Sequence, residues 1–149
     1  MVLIAIRDID DDEYMTLGKH GVRCYTMDHV DKLGIGEVMR QSIDYLDPKN
    51  ESPFHLSFDV DAIDPELVSQ TGTRFRYGLT GRESVHIVRR LTQERTVVSM
   101  DLVEINNTLN ETEKIRHKFR SENGLQPLSR TVGVGVDLIS SLCTKYLSL

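Results

Sequence analysis

The segment Phe54–Pro65, with the sequence FHLSFDVDAIDP, constrains the fold most, because it predicts an apolar β-strand that ends in carboxylates. Alternate side chains of a strand point to opposite faces. One predicted face is apolar and consists of Leu56, Phe58 and Val60. Asp59 and Asp61 should share the other face at the end of the strand, since Pro65 prevents its continuation.

A pair of neighbouring carboxylates is unfavourable unless a proton or a cation neutralises part of its charge. Oxygen ligands of this kind suit hard divalent cations such as Mg²⁺ or Mn²⁺. Asp59 and Asp61 are therefore candidate metal ligands. The alternative is that both are solvated acids of a loop.

Composition limits the class of protein. The 149 residues, 39% hydrophobic and 28% charged, suit one globular domain. A net charge of −5 argues against nucleic acid or an anionic membrane as a partner. Cys24 and Cys143 lack metal-ligand spacing and are expected to be reduced, and no apolar run is long enough for a membrane span. We expect a cytoplasmic protein, with a mitochondrial location left open.

Predicted strands alternate with predicted helices along the chain. The strands are Val2–Ile6, Val22–Thr26, the segment from Phe54, and Thr96–Ile105. The helices begin near Asp11, at Asp28 or Asp31 (to about Tyr45), after Thr80 (to about Glu94) and at Ser129 (to about Leu147), and residues 106–128 are polar and irregular. Such alternation favours an α/β fold of three layers, with a mainly parallel sheet flanked by helices.

Two predicted helices carry clear local signals. The helix that ends near Tyr45 should bury the apolar residues Val30, Leu33, Val38 and Ile43. The sequence Thr80-Gly-Arg-Glu83 has the form of a capping box, in which Thr80 and Glu83 exchange hydrogen bonds. A helix should therefore start directly after Thr80.

Three predicted strands end in pairs of acids. These pairs are Asp8 and Asp10, Asp59 and Asp61, and Asp101 and Glu104. The carboxyl ends of parallel strands lie at one edge of the sheet, where open α/β folds bind ligands. We expect the acids to converge there, although a single strand-end acid can instead cap a neighbouring helix.

The motif Ser57–Pro65, followed by Thr71-Gly-Thr73 and Gly78–Glu83, resembles the ureohydrolases, the binuclear manganese amidinohydrolases. Further details resemble the arginases within that group. They are the segment Ile6–Asp10 with Glu13, the turn Leu33–Gly36 and the segment Met100–Asn106. The similarity runs from about residue 2 to residue 110 and returns weakly in the last helix.

This resemblance implies roles for individual residues. It implies that Asp59 bridges two Mn²⁺ ions and that Asp61 is a ligand of one of them. It implies substrate contacts from Asp10, Asp8, Thr73 and Glu104, with Asp10 at the α-amino end and Glu104 at the guanidinium group. The implied reaction is hydrolysis of L-arginine to L-ornithine and urea, in which the two metals activate a water molecule. A homo-oligomer, for instance a trimer, is also implied.

The chain departs from the family pattern in two ways. The family's other metal ligands come from a Gly-Gly-Asp-His stretch and an Asp-x-His-x-x-x-Asp stretch, and the sequence contains neither. The usual Thr-Gly-Thr-Pro loop continues here with Arg74 and includes Arg76, which changes the rim of the site. We therefore expect residues 1–149 to be the C-terminal portion of a single arginase-like domain and to be inactive alone.

Other functions stay open at this stage. The chain could be a truncated, non-catalytic interaction module, or it could come from another ureohydrolase such as an agmatinase. A phosphoryl-transfer hydrolase would also place Asp-x-Asp after an apolar strand, but it gives no role to Asp64-Pro65 and Thr71-Gly-Thr73.

Overall fold

The computed structural model describes residues 1–106 and 130–147. Its strands are β1 (Val2–Ile6), β2 (Arg23–Thr26), β3 (Phe54–Asp59) and β4 (Val97–Val103). Its helices are α1 (Asp11–Lys19), α2 (Met27–Leu33), α3 (Ile35–Leu46), α4 (Gly81–Glu94) and α5 (Arg130–Leu147), and a 3₁₀ turn spans Val60–Ala62. The predicted irregular segment from residue 107 onwards and the predicted helix start at Ser129 lie outside the described residues.

The strands pair in parallel, as the alternation of strands and helices predicted. In the described part of the chain they form two sheets of two strands, β1 with β2 and β3 with β4. The facing strands β1 and β3 line a cleft of about 450 Å³ between these sheets. The α/β class is confirmed, and the cleft lies beside the predicted metal ligands.

One buried apolar cluster includes Phe54 and Phe58 of β3 together with residues of α3, α4 and α5. Helix α4 packs against both α3 and α5. Val38, Val88 and Leu138, one from each of these helices, are completely buried. Removing such side chains from water is the main stabilising contribution to a core of this kind. This packing supports the strands whose carboxyl ends carry the candidate site.

The predicted helix that ends near Tyr45 is interrupted. Gly34 has φ +78°, which favours glycine, and it separates α2 from α3. Leu33 is the last residue of α2 and is exposed (43%), so the prediction that Leu33 is buried was wrong, whereas Val30 and Ile43 are buried as predicted. Helix α2 also begins earlier than predicted, at Met27.

Helix α4 begins as its capping box predicted. The backbone N–H of Glu83 donates to Oγ1 of Thr80 at 3.3 Å, and the Thr80 N–H donates to Oε2 of Glu83 at 2.8 Å. These two bonds satisfy donors that the first turn of a helix leaves free. The start of α4 is thereby fixed directly after the loop 66–79, which borders the candidate site.

Among the helices of the described residues, none has the length and apolar character needed to cross a membrane.

Candidate functional site

The two predicted metal ligands are neighbours, but a turn rather than a continuous strand brings them together. Strand β3 ends at Asp59, and Asp61 lies in the 3₁₀ turn Val60–Ala62. The backbone N–H of Asp61 donates to Oδ1 of Asp59 at 2.8 Å. The prediction that strand alternation places both carboxylates on one face was therefore wrong for Asp61, because an Asp side chain at a strand end can fold the following residues into a turn.

The carboxylate of Asp61 has one oxygen with a partner and one without. Oδ2 accepts a hydrogen bond from the backbone N–H of Thr73 at 3.1 Å. Oδ1 is buried and has no hydrogen-bond partner among the described residues. Burial raises the pKa of Asp61, and the negative charges of Asp59 and Glu104 raise it further, while the Thr73 N–H and Arg7 act in the opposite direction. A bound cation would relieve this unfavourable environment.

Glu104 lies on the same side of the molecule as Asp61. It directly follows β4 and has φ +63°, a backbone conformation that non-glycine residues seldom adopt. Its Oε2 packs against Gly72, 3.1 Å from the position that a Cβ atom would take there. The structure thus brings the Glu104 carboxylate beside the loop that carries Thr73. Unusual backbone conformations such as that of Glu104 are frequent at functional sites.

The two acids that follow β1 take different positions. Asp8 lines the cleft between the sheets together with Asp59, Asp61 and Thr73. Asp10 is the N-cap of α1, because its Oδ1 accepts from the backbone N–H of Glu13 at 2.8 Å. Asp10 lines a neighbouring groove that it shares with Asp8. The capping alternative thus holds for Asp10, and a contact between its other oxygen and substrate stays a prediction.

Asp101 does not join the other acids, so that part of the predicted convergence was wrong. It lies inside β4, paired with Ser57. Its Oδ2 is 3.4 Å from Nε2 of His55, whose Nδ1 is 2.7 Å from Oγ of Ser99. These side chains form an exposed polar cluster on the sheet face. Strand β4 continues for two residues beyond Asp101, so Glu104, and not Asp101, lies at its carboxyl end.

Asp64 organises the loop 66–79, a role that the sequence analysis missed. Its Oδ1 accepts from the backbone N–H of Glu66 at 2.9 Å, and its Oδ2 accepts from the N–H groups of Tyr77 and Gly78 at 2.7 and 3.2 Å. These bonds, with the N–H of Glu66 contributing most, lower the pKa of Asp64. One carboxylate therefore joins both ends of the loop. The sequence Asp64-Pro65 was a usable signal, because Asp side chains often bond to backbone two residues further on.

Arg7 is the second residue that the sequence analysis missed. Its Nη1 donates to the carbonyl oxygen of Ala62 at 2.8 Å, and its Nη2 donates to the carbonyl oxygen of Asp61. Burial lowers the pKa of Arg7, whereas the carboxylates of Asp64, Asp61 and Asp59 act in the opposite direction. A cation at the end of an apolar strand, next to acids, was the available signal.

The donor set fits a hard divalent cation in part. Asp59 and Asp61 present carboxylate oxygens of the kind that hard cations bind, and the buried Oδ1 of Asp61 has no hydrogen-bond partner among the described residues. No group of three or more His, Cys, Asp or Glu side chains suited to hold a metal occurs within residues 1–106 and 130–147.

The fold and the site define an α/β protein with a cluster of carboxylates at the carboxyl ends of parallel strands. The chain belongs to the arginase family, whose model matches residues 1–143. It is 39% identical over 139 residues to the arginase of Glaciozyma antarctica, which covers 93% of this chain. It superposes on the native structure of the arginase from Bacillus caldovelox with a TM-score of 0.78 at 33% identity over 98% of this chain.

The chain spans only part of these relatives. It covers 36% of the Glaciozyma antarctica arginase and 43% of the Bacillus caldovelox chain. A likeness in fold alone extends to the formimidoylglutamase of Bacillus subtilis, with a TM-score of 0.75 at 19% identity. Because proteins with different names share this fold, the substrate has to be argued from the site residues.

Proposed function

We propose that the complete gene product is an amidinohydrolase that hydrolyses L-arginine to L-ornithine and urea at a binuclear manganese centre. The observation that supports this most strongly is the buried Oδ1 of Asp61, which has no hydrogen-bond partner in the described residues. Asp59 and Asp61 would hold the metal, and residues 1–149 would form one portion of a single domain. The remaining ligands would come from elsewhere in the complete polypeptide.

The metal and the protein have separate parts in this proposal. Divalent metal, when bound, would lower the pKa of a water molecule enough to supply a nucleophile near neutral pH. The protein's own contribution is to place two carboxylates side by side. The bond from the Asp61 N–H to Oδ1 of Asp59 holds the two residues in this arrangement.

The substrate in this proposal carries a planar cation. The exposed carboxylate of Glu104 would pair with the guanidinium group, because a carboxylate matches the paired N–H donors of that fork. Thr73 lies in the loop that Asp61 holds, so its hydroxyl could contact the substrate beside the metal ligands. Asp8 and Asp10 would bind the α-amino end. A cationic substrate explains why so many acids share one edge of the molecule.

A homo-oligomer and a cytoplasmic location are further parts of the proposal. Membership of the arginase family supports the homo-oligomer. The cytoplasmic location rests only on the expectation from the sequence. The net charge of −5 argues against nucleic acid as a partner.

The test is an assay of the purified complete gene product with added Mn²⁺. Urea release is measured from L-arginine and from agmatine, and release of formamide is measured from N-formimidoyl-L-glutamate. We expect the highest kcat/KM with L-arginine. A preference for agmatine would assign another ureohydrolase activity. The absence of turnover of all three substrates by a protein that binds Mn²⁺ would favour the non-catalytic interaction module.

A further inference from the structure

Arg7 connects two parts of the molecule that no strand pairing joins in the described residues. It follows β1, and its two terminal nitrogens donate to the carbonyl oxygens of Asp61 and Ala62, which are 54 and 55 residues further along the chain. β1 and β3 themselves belong to separate sheets. The guanidinium group therefore bridges the cleft at the carboxyl ends of both strands.

The geometry requires an arginine and not merely a positive charge. A guanidinium group presents parallel N–H donors in a rigid plane, whereas a lysine presents one compact charge on a flexible chain. Arg7 uses two of these donors on the consecutive carbonyl groups of Asp61 and Ala62. Two bonds to adjacent peptide units fix both the position and the orientation of the turn that contains Asp61.

The turn is held from the other side as well. The Asp61 N–H donates to Asp59, and the Thr73 N–H donates to the Asp61 carboxylate. We propose that Arg7 is a positioning residue for this turn, and that its two hydrogen bonds keep the carboxylates of Asp59 and Asp61 in the arrangement that binds a divalent cation. This inference rests on the proposed metal site, although Arg7 itself cannot coordinate a cation.

Two physical effects of Arg7 on metal affinity have opposite signs. Its positive charge repels a cation bound nearby, so charge alone predicts tighter metal binding when Arg7 is replaced by a neutral residue. Positioning predicts weaker binding for the same change. The Arg7→Lys variant keeps the charge and loses the paired donors, whereas Arg7→Met removes both at similar length. Together the two variants separate the effects.

The experiment measures Mn²⁺ affinity of the complete gene product by electron paramagnetic resonance, with Arg76→Met as the control that removes an exposed cation from the nearby loop. We expect the Kd for Mn²⁺ to rise about tenfold or more in both Arg7 variants and to change less than threefold in the control. Unchanged affinity in Arg7→Lys, or tighter binding in Arg7→Met, would overturn the inference.

Hydrogen exchange of the metal-free protein supplies a second readout that does not depend on metal. In Arg7→Lys, the amides of residues 59–64 should lose protection while those of α4 keep it. Unchanged protection of residues 59–64 in Arg7→Lys would contradict a positioning role. A wild-type protein that binds no Mn²⁺ would instead overturn the proposed metal site. Normal Mn²⁺ binding without urea release would overturn only the proposed substrate.

Discussion

The backbone N–H of Thr73 donates to Oδ2 of Asp61 at 3.1 Å, so a predicted substrate residue and a predicted metal ligand are directly bonded. The loop 66–79 and the turn Val60–Ala62 are thereby coupled. Asp64 strengthens this coupling, because its carboxylate binds backbone N–H groups at both ends of the loop. Substitutions in the loop 66–79 should therefore affect metal binding, and substitutions in the turn Val60–Ala62 should affect substrate binding.

Replacing either predicted metal ligand with Asn should reduce metal content and activity together. Replacing Asp59 or Asp61 in the complete gene product keeps the side-chain shape but removes the negative charge that a hard cation requires. Bound Mn²⁺ per protomer, measured by elemental analysis after dialysis, should fall together with urea release. Unchanged stoichiometry in both variants would refute the assignment, and the exposed Asp31→Asn serves as the control.

The Asp61→Asn variant should also stabilise the metal-free protein at neutral pH. The pKa of Asp61 is raised in the fold, first by burial, so its carboxyl group favours folding below the ordinary pKa of 3.8 and that contribution is lost as the pH rises through the raised value. The gain in free energy of unfolding at pH 7 should be small, about 0.5 kcal/mol or less, because solvent screens the repulsion at a partly exposed carboxylate. The gain should shrink as the pH falls towards 4.

Thermal unfolding at several pH values, with Mn²⁺ removed by a chelator, measures this effect. Added Mn²⁺ should reverse the order, because a ligand stabilises only the protein that binds it. A variant that is less stable than the wild type at pH 7 without metal would show that the Asp61 charge is well compensated.

The Glu104→Gln variant should separate substrate recognition from metal binding. Glu104 lies against Gly72 in the loop, and it is predicted to contact substrate and not to bind the metal. Loss of its charge should lower kcat/KM for L-arginine by roughly 10²-fold or more, as expected for a charged pair in a site, with Mn²⁺ content unchanged. Glu51→Gln is the matched control, because Glu51 is exposed in the loop before β3, at the opposite end of that strand. Loss of metal without a kinetic defect at saturating Mn²⁺ would contradict the assignment.

The Gly78→Ala variant should destabilise the protein strongly. A Cβ atom at Gly78 would lie 2.7 Å from both the carbonyl oxygen of Ala62 and the backbone N of Asp64, which cannot move independently of the turn. We expect a loss of roughly 2–4 kcal/mol in the free energy of unfolding by urea titration. Gly18→Ala is the control, since apart from its own helix backbone and chain neighbours no atom of the described residues lies within 4 Å of its Cβ position in α1, and it should be neutral or slightly stabilising. Equal effects of the two changes would contradict the close approach seen at Gly78.

Short-range patterns in the sequence predicted most of the secondary structure. The capping box of Thr80 and Glu83, the strand that begins at Phe54 and the parallel pairing of the strands all depend on neighbouring residues or on strand–helix order. Such signals are local, because hydrogen bonding and side-chain periodicity act over a few residues. For the same reason, the sequence alone indicated the residue types of the site and the resemblance to the arginase family.

Only the tertiary structure decided how these residues are connected. The bonds of Arg7 to the turn Val60–Ala62, the placement of Glu104 against Gly72 and the pairing of Asp101 with His55 join residues that are distant in the sequence. No local pattern specifies which of several strand-end acids meet, since that depends on where each strand stops and on what packs behind it. The sequence by itself determined which acids were available, and the packed fold determined which of them share a site.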